Sequence, residues 1–297
     1  MSPTDALIFV WIFLLGLVVG SFLNVCIHRI PARGMSIVKP RSHCFSCGAT
    51  IRWYDNIPLL SFVLLGARCR RCKAPISIRY PLVELGTGLV FLLTVRAAAW
   101  SGTWSAGAWS ADGQAWAKAG AGLLLFGGLL VASAVDFDRR IIPDEITIPG
   151  MLVGPLLALF LPGTVAEPLP LLDDPHLDAL AGSLAGLAAG GGSVFLIGWI
   201  FRVLLKKEAM GFGDVKLLAA CGVFLGWQGA LIALLLACFL GAAFGIAYWA
   251  VFRSRYIPFG PFLATASLAY WWFHPQIRYV LFVSYPAFLD RLMGGGG

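Results

Sequence analysis

Two aspartates stand out in an apolar chain: Asp136, within the run AVDFDRR, and Asp214, within GFGDVK. Each sits where a long apolar stretch meets a short basic loop. A carboxylate at the edge of a membrane span is costly and marks a functional position. Two that meet at one face cannot both ionise easily, so they share a proton. The ionised member could then take a proton from water while the other protonates an amide being cleaved. A proton-coupled transporter would use the same pair as a relay. Two helix-end residues facing headgroups would need no chemistry at all. Spacing leaves these readings open. Asp138, before Arg139 and Arg140, reads as a solvated, paired loop charge, and Asp144, after Pro143, as a helix cap. Gly211 and Gly213 leave the backbone at Asp214 free for close packing. Lys216 offers a counter-charge or marks the membrane surface. Other hydrolytic motifs are missing: there is no GxSxG or HExxH, and His28, His43, His176 and His274 are scattered.

A second constellation is cysteine-based. Cys44 and Cys47, then Cys69 and Cys72, form two Cys-x2-Cys pairs separated by 21 residues. Two thiolates on each of two tight turns suit a tetrahedral zinc ion, with Gly48 relaxing the first turn. Arg68, Arg70, Arg71 and Lys73 would help hold the thiols ionised. Four thiolates close the coordination shell and leave no place for water, so the expected metal is structural. Two reduced pairs or a redox pair is the competing reading. Cys26, Cys221 and Cys238 fall in or beside apolar runs and read as packing residues.

The elements that must position these groups follow from composition. Of 297 residues 59% are hydrophobic and 12% charged, with a mean hydropathy of +0.83. A soluble protein of this length would need more polar surface. The expected fold is an all-α polytopic membrane protein of about eight transmembrane helices. The spans read near 6–27, 80–100, 119–136, 146–162, 179–204, 214–227, 229–252 and 258–275. The first is read as a retained span, not a cleaved signal peptide, because no basic region precedes Leu7. The apolar stretch 279–289 is too short to span alone. The four glycines at 294–297 read as an added tail. Gly182 to Gly192 could pass for a phosphate loop, but no Lys-Ser/Thr follows, so helix packing is expected.

Charge then orients the chain. The segment 28–79 holds ten Lys/Arg against one acid, Asp55. With Arg139, Arg140, Arg202, Lys206, Lys207, Lys216, Arg253 and Arg255, 18 of 22 basic residues fall on one face, expected to be cytoplasmic. The opposite loop, 163–178, carries Glu167, Asp173, Asp174 and Asp178. Both termini are therefore expected to be periplasmic. The net charge of +7 describes topology, and no nucleic-acid motif accompanies it. The expected organisation is a first helix (1–27), a cytoplasmic zinc-binding loop (28–79) and a transmembrane core (80–293). In a cytosolic loop, disulfides are disfavoured and zinc is favoured.

Six ordered motifs resemble those of the type IV prepilin peptidases, aspartic leader peptidases of type IV pilus and type II secretion systems. They are GSFLNVCIHRIP at 20–31, the paired cysteines, and RYPLVEL at 79–85. DFDRRIIPD at 136–144, GFGDVK at 211–216 and YIPFGPF at 256–262 follow in order. The resemblance implies that Asp136 and Asp214 are the catalytic pair in a bacterial inner membrane. It implies cleavage of a short basic leader of prepilins or pseudopilins after a glycine, on the cytoplasmic side. It also implies, for bifunctional members, N-methylation with S-adenosylmethionine, whose site residues are unknown. The leader is itself basic, so the basic loop is expected to meet anionic membrane lipids instead. Asp55 and Glu84 are its only candidates for leader contacts, and Glu84 is better explained by a buried partner.

Overall fold

The computed structural model describes residues 3–32, 35–98, 113–206, 211–252 and 257–286. The basic residues Lys207, Arg253 and Arg255, Tyr256 of the last motif, and the glycines 294–297 lie outside them, as do 287–289.

The architecture is all-α, with no strand among the described residues. Its helices are α1 (Pro3–Arg29), the short α2 (Leu60–Leu64), α3 (Arg79–Ala98) and α4 (Gly113–Arg139). There follow α5 (Asp144–Phe160), α6 (Pro175–Leu205), α7 (Phe212–Phe252) and α8 (Gly260–Tyr279). Among the described residues, five helices are long and apolar enough to cross a membrane: α1, α3, α4, α6 and α7. The 17-residue α5 carries Pro149 and Pro155 within it.

Small residues set the packing. Gly16 meets Gly88, Gly20 meets Glu84, and the Asn24 amide donates to Tyr80 O at 3.1 Å, so α1 and α3 run antiparallel in register. A Cβ at Gly190 would lie 2.5 Å from Leu218 O, and Gly186 and Gly222 touch backbone to backbone. The glycine-rich stretch of α6 is therefore a packing face, which lets two helix axes approach closely where lipid offers no hydrophobic drive. It cradles no phosphate.

At Gly226 the backbone of α7 leaves the helical region, with φ 79° and ψ 174°. Only glycine takes that conformation readily. Before the break Gly213 lies against Ile142 and Gly222 against Gly186. After it Gly229 lies under Tyr270 and Gly241 beside Phe259 and Phe262. The second half of α7 thus returns toward the end where the first half began. The ends of α1 and α4 and the starts of α3, α5, α7 and α8 gather at that one end of the bundle.

Candidate active site

Asp136 lies one turn from the end of α4 and is buried. Val131 and Val135 pack it against Leu23, Cys26 and Ile27 of α1, so the first motif buttresses the aspartate's helix. One carboxylate oxygen accepts the Gly260 N–H at 3.0 Å, at the start of α8. A Cβ at Gly260 would sit 2.6 Å from that oxygen, so any side chain there would push the Asp136 carboxylate aside. The role of Gly260 was not visible in sequence, although its motif was.

Asp214 enters in the first turn of α7. Its N–H is held by Gly211 O at 3.1 Å, and a Cβ at Gly211 would lie 3.5 Å from its carboxylate. Gly213 rests on Ile142 of the 136–144 motif, which ties the two aspartate segments together. Half-buried, Asp214 lies within electrostatic reach of Asp136. The structure therefore brings the two expected carboxylates to the same end of the bundle, within electrostatic reach, from different helices.

Neighbouring charges are committed elsewhere. Asp138 pairs with Arg79 at 2.5 Å, and Arg139 donates to Pro31 O at 3.2 Å. Asp144 was expected to cap a helix. It is instead the first residue of α5, makes no capping bond, and pairs with Lys216. That pairing also removes Lys216 as a counter-charge for Asp214. Its ammonium rests 5.4 Å over the Phe212 ring.

The four cysteines converge, their Sγ atoms all within 4.8 Å of one another. Each pair forms the same turn. Cys44 N–H donates to Ala49 O and Gly48 N–H to Cys44 O, while Cys69 N–H donates to Ala74 O and Lys73 N–H to Cys69 O. The positive φ falls on Gly48 in one turn and on Lys73 in the other. Backbone N–H groups of Cys47 and Ser46 lower the Cys44 thiol to about 6, and those of Cys72 and Arg71 lower Cys69. The turns thus favour thiolates at Cys44 and Cys69, while at Cys72 the Ala74 N–H is outweighed by desolvation and the three neighbouring sulfurs, which push the thiol up to about 11. Arg70 was expected to help and instead clamps Asp55 through three short contacts. This donor set fits a closed tetrahedral zinc site.

Asp55 and Glu84 are thus both occupied. Glu84 accepts the Leu59 N–H at 2.9 Å and is bonded by Ser21. The histidines are less scattered than they read: His28 bonds the Tyr80 hydroxyl at 2.9 Å, and both His28 and His43 pack on Phe45. Cys26 and Cys221 are buried as expected, while Cys238 is exposed.

One residue escaped sequence reading. Glu167 looked like a surface loop acid, yet it is buried at the far end of the bundle. It accepts from the Tyr270 hydroxyl and faces Arg278 at 3.6 Å. The only hint was its place beside the apolar Val165 and Ala166.

Comparison with known proteins agrees with this architecture. Residues 14–98 match the bacterial peptidase A24 N-terminal domain, and residues 123–246 match the type IV leader peptidase family. The chain belongs to the type IV leader peptidase family and is a peptidase. It is 38% identical over 287 residues to a prepilin leader peptidase/N-methyltransferase of Aeromonas hydrophila, covering 88% of this chain and 89% of that one. A protein of the same name in Pseudomonas aeruginosa is 37% identical over 279 residues, 86% of each chain. One in Myxococcus xanthus is 41% identical over 237 residues, covering 80% of this chain and 62% of its own length. No solved structure matches.

Proposed function

We propose that the chain is an aspartic endopeptidase that removes the basic leader of prepilins and pseudopilins after a glycine at the cytoplasmic membrane face. The observation that carries this reading is the meeting of Asp136 and Asp214 at one end of the bundle. The pair holds one proton between its two carboxylates. The ionised member takes a proton from water as the water oxygen attacks the scissile carbonyl carbon. The protonated member then gives its proton to the leaving nitrogen as the C–N bond breaks. The Gly260 N–H fixes the Asp136 oxygen that it holds, which orients the other oxygen toward the reaction.

Zinc at Cys44, Cys47, Cys69 and Cys72 would tie the loop and supply no catalysis, because no coordination position remains for substrate. N-methylation of the new terminus follows from the names of the relatives. S-adenosylmethionine would supply the methyl group. In this reading eight segments cross a bacterial inner membrane, with α5, α8 and the two halves of α7 counted separately. Both termini are then periplasmic, and the basic loop faces anionic headgroups. The units are a first helix (1–27), the zinc loop (28–79) and the peptidase core (80–293).

The deciding experiment incubates purified protein with a prepilin-type substrate and weighs the products. Cleavage should be lost in the Asp136→Asn, Asp214→Asn double variant, and full cleavage by it would sink the proposal. With S-adenosylmethionine added, a methyl mass increment tests the second activity. Metal analysis should find about one zinc per chain.

A further inference from the structure

The segment between the two cysteine turns does not resemble a water-exposed loop. It runs Ile57, Pro58, Leu59, Leu60, Ser61, Phe62, Val63, Leu64, Leu65. In the structure its centre folds as α2 and turns its apolar side chains outward: Leu60 is 50%, Val63 73% and Leu64 74% exposed, and Trp53 nearby is 80% exposed. Ser61 is the buried residue of α2, with Pro58, Leu59, Phe62 and Leu65 half-buried; its hydroxyl receives Ile57 N–H at 2.9 Å and donates to Tyr54 O at 3.0 Å. Large aliphatic groups in that number are not left in water without a partner.

The partner follows from where the segment is tied. Leu59 N–H donates to Glu84, on the second turn of the membrane span α3. Glu84 lies five helical steps beyond Arg79 at the head of α3, a depth of about 7.5 Å. The outward stripe of α3 begins at the same level, with Leu82, Leu85, Leu89 and Leu93 all exposed. Leu59 is therefore held at the level where that outward stripe begins, by a carboxylate that is itself buried against Gly20 and Ser21 of α1. A backbone N–H at that depth has no water to bond, and the Glu84 carboxylate supplies the acceptor. Basic residues flank the segment on both sides, Arg52 before it and Arg68, Arg70 and Arg71 after it.

We propose that 57–65 is a monotopic membrane anchor. Leu60, Val63 and Leu64 enter the acyl boundary, Trp53 sits at the headgroup level, and Glu84 is the buried post that holds the segment at depth. This geometry is that of an interfacial element, buried about 5–10 Å with a basic rim. It rests on reading α1 and α3 as membrane spans and refines the headgroup contact given above. It is independent of the aspartate chemistry. The cysteine site then becomes a clasp that closes the base of a membrane-dipping loop.

The test places an environment-sensitive fluorescent amino acid at Val63 or Leu64, with Arg41 as the control, in the full chain reconstituted in vesicles. Both anchor positions should shift to the blue, be quenched by bromines high on the lipid acyl chains, and be untouched by aqueous iodide. Arg41 should show the reverse. Iodide quenching at 63 and 64 would overturn the proposal. So would protection from both quenchers, which would mean that protein covers the segment. Glu84→Ala should lose the bromine quenching while Glu84→Gln, which keeps an acceptor, retains it. If Glu84→Ala does not fold, the contrast between 63 and 41 still decides. Vesicles without anionic lipid separate the two contacts: the apolar one persists as the headgroup one weakens. Prepilin cleavage by the same samples reports the peptidase reading on its own.

Discussion

The bundle buries carboxylates at both ends of α8 and treats them in opposite ways. At the start of α8, Asp136 receives a single backbone N–H, from Gly260, and has Asp214 within electrostatic reach. Toward its far end, Glu167 is given a phenol and a guanidinium, from Tyr270 and Arg278. In the proposed reading the first arrangement leaves a like-charge pair under-compensated, as proton transfer would require. The second brings a donor and a positive charge to one Glu167 oxygen, leaves the other without a hydrogen bond, and ties a loop onto the bundle. Burial does not tell the two carboxylates apart; what faces each of them does.

That contrast can be broken by substitution. Asp136→Asn or Asp214→Asn should lower the cleavage rate by about 10³–10⁴-fold with the fold intact. The double variant should be little worse than the lower single, because the pair acts as a unit. Additive losses, read from leader release by mass spectrometry, would show that the aspartates act separately. Gly260→Ala should cost about 10²-fold in kcat, since the new Cβ displaces the Asp136 oxygen. An unchanged rate would mean that the Gly260 contact positions nothing.

The far end should respond in stability. Tyr270→Phe should lower unfolding free energy by about 1–3 kcal/mol, the cost of a buried acceptor losing its donor, and leave turnover of the folded fraction unchanged. Denaturant titration in detergent, run beside the cleavage assay, reads both quantities. A turnover loss with unchanged stability would erase the distinction between the two ends. The smallest effect belongs to Lys216→Met. Its pair with Asp144 is partly exposed, so the loss should be within about 1 kcal/mol.

Much of the aspartate site was legible because charge is scarce in this chain. Against 59% hydrophobic residues, two carboxylates beside basic loops are conspicuous, and topology alone places them on one face. The cysteine spacing was equally plain, since two residues between thiols is the reach of one tight turn. Glu167 was not legible: its partners lie 103 and 111 positions away on α8, a separation no local pattern records. Asp144 misled for a related reason. Its local setting matched a cap, but it falls one residue inside the helix and its carboxylate pairs with Lys216, 72 residues on. The apolar centre of the cysteine loop was in plain view. It was overlooked because loops are expected to be wet.

Gly226 has a consequence beyond its own turn. As one straight rod, the 41 residues of α7 would extend about 62 Å, twice the thickness of the hydrocarbon layer. By reversing the chain, this glycine sets at which end of the bundle the next helix begins. Without the reversal α8 would begin at the far end, and Gly260 would never meet Asp136. A single backbone dihedral, buried at the far end of the bundle beside Glu167, thus decides at which end the last piece of the candidate site is delivered.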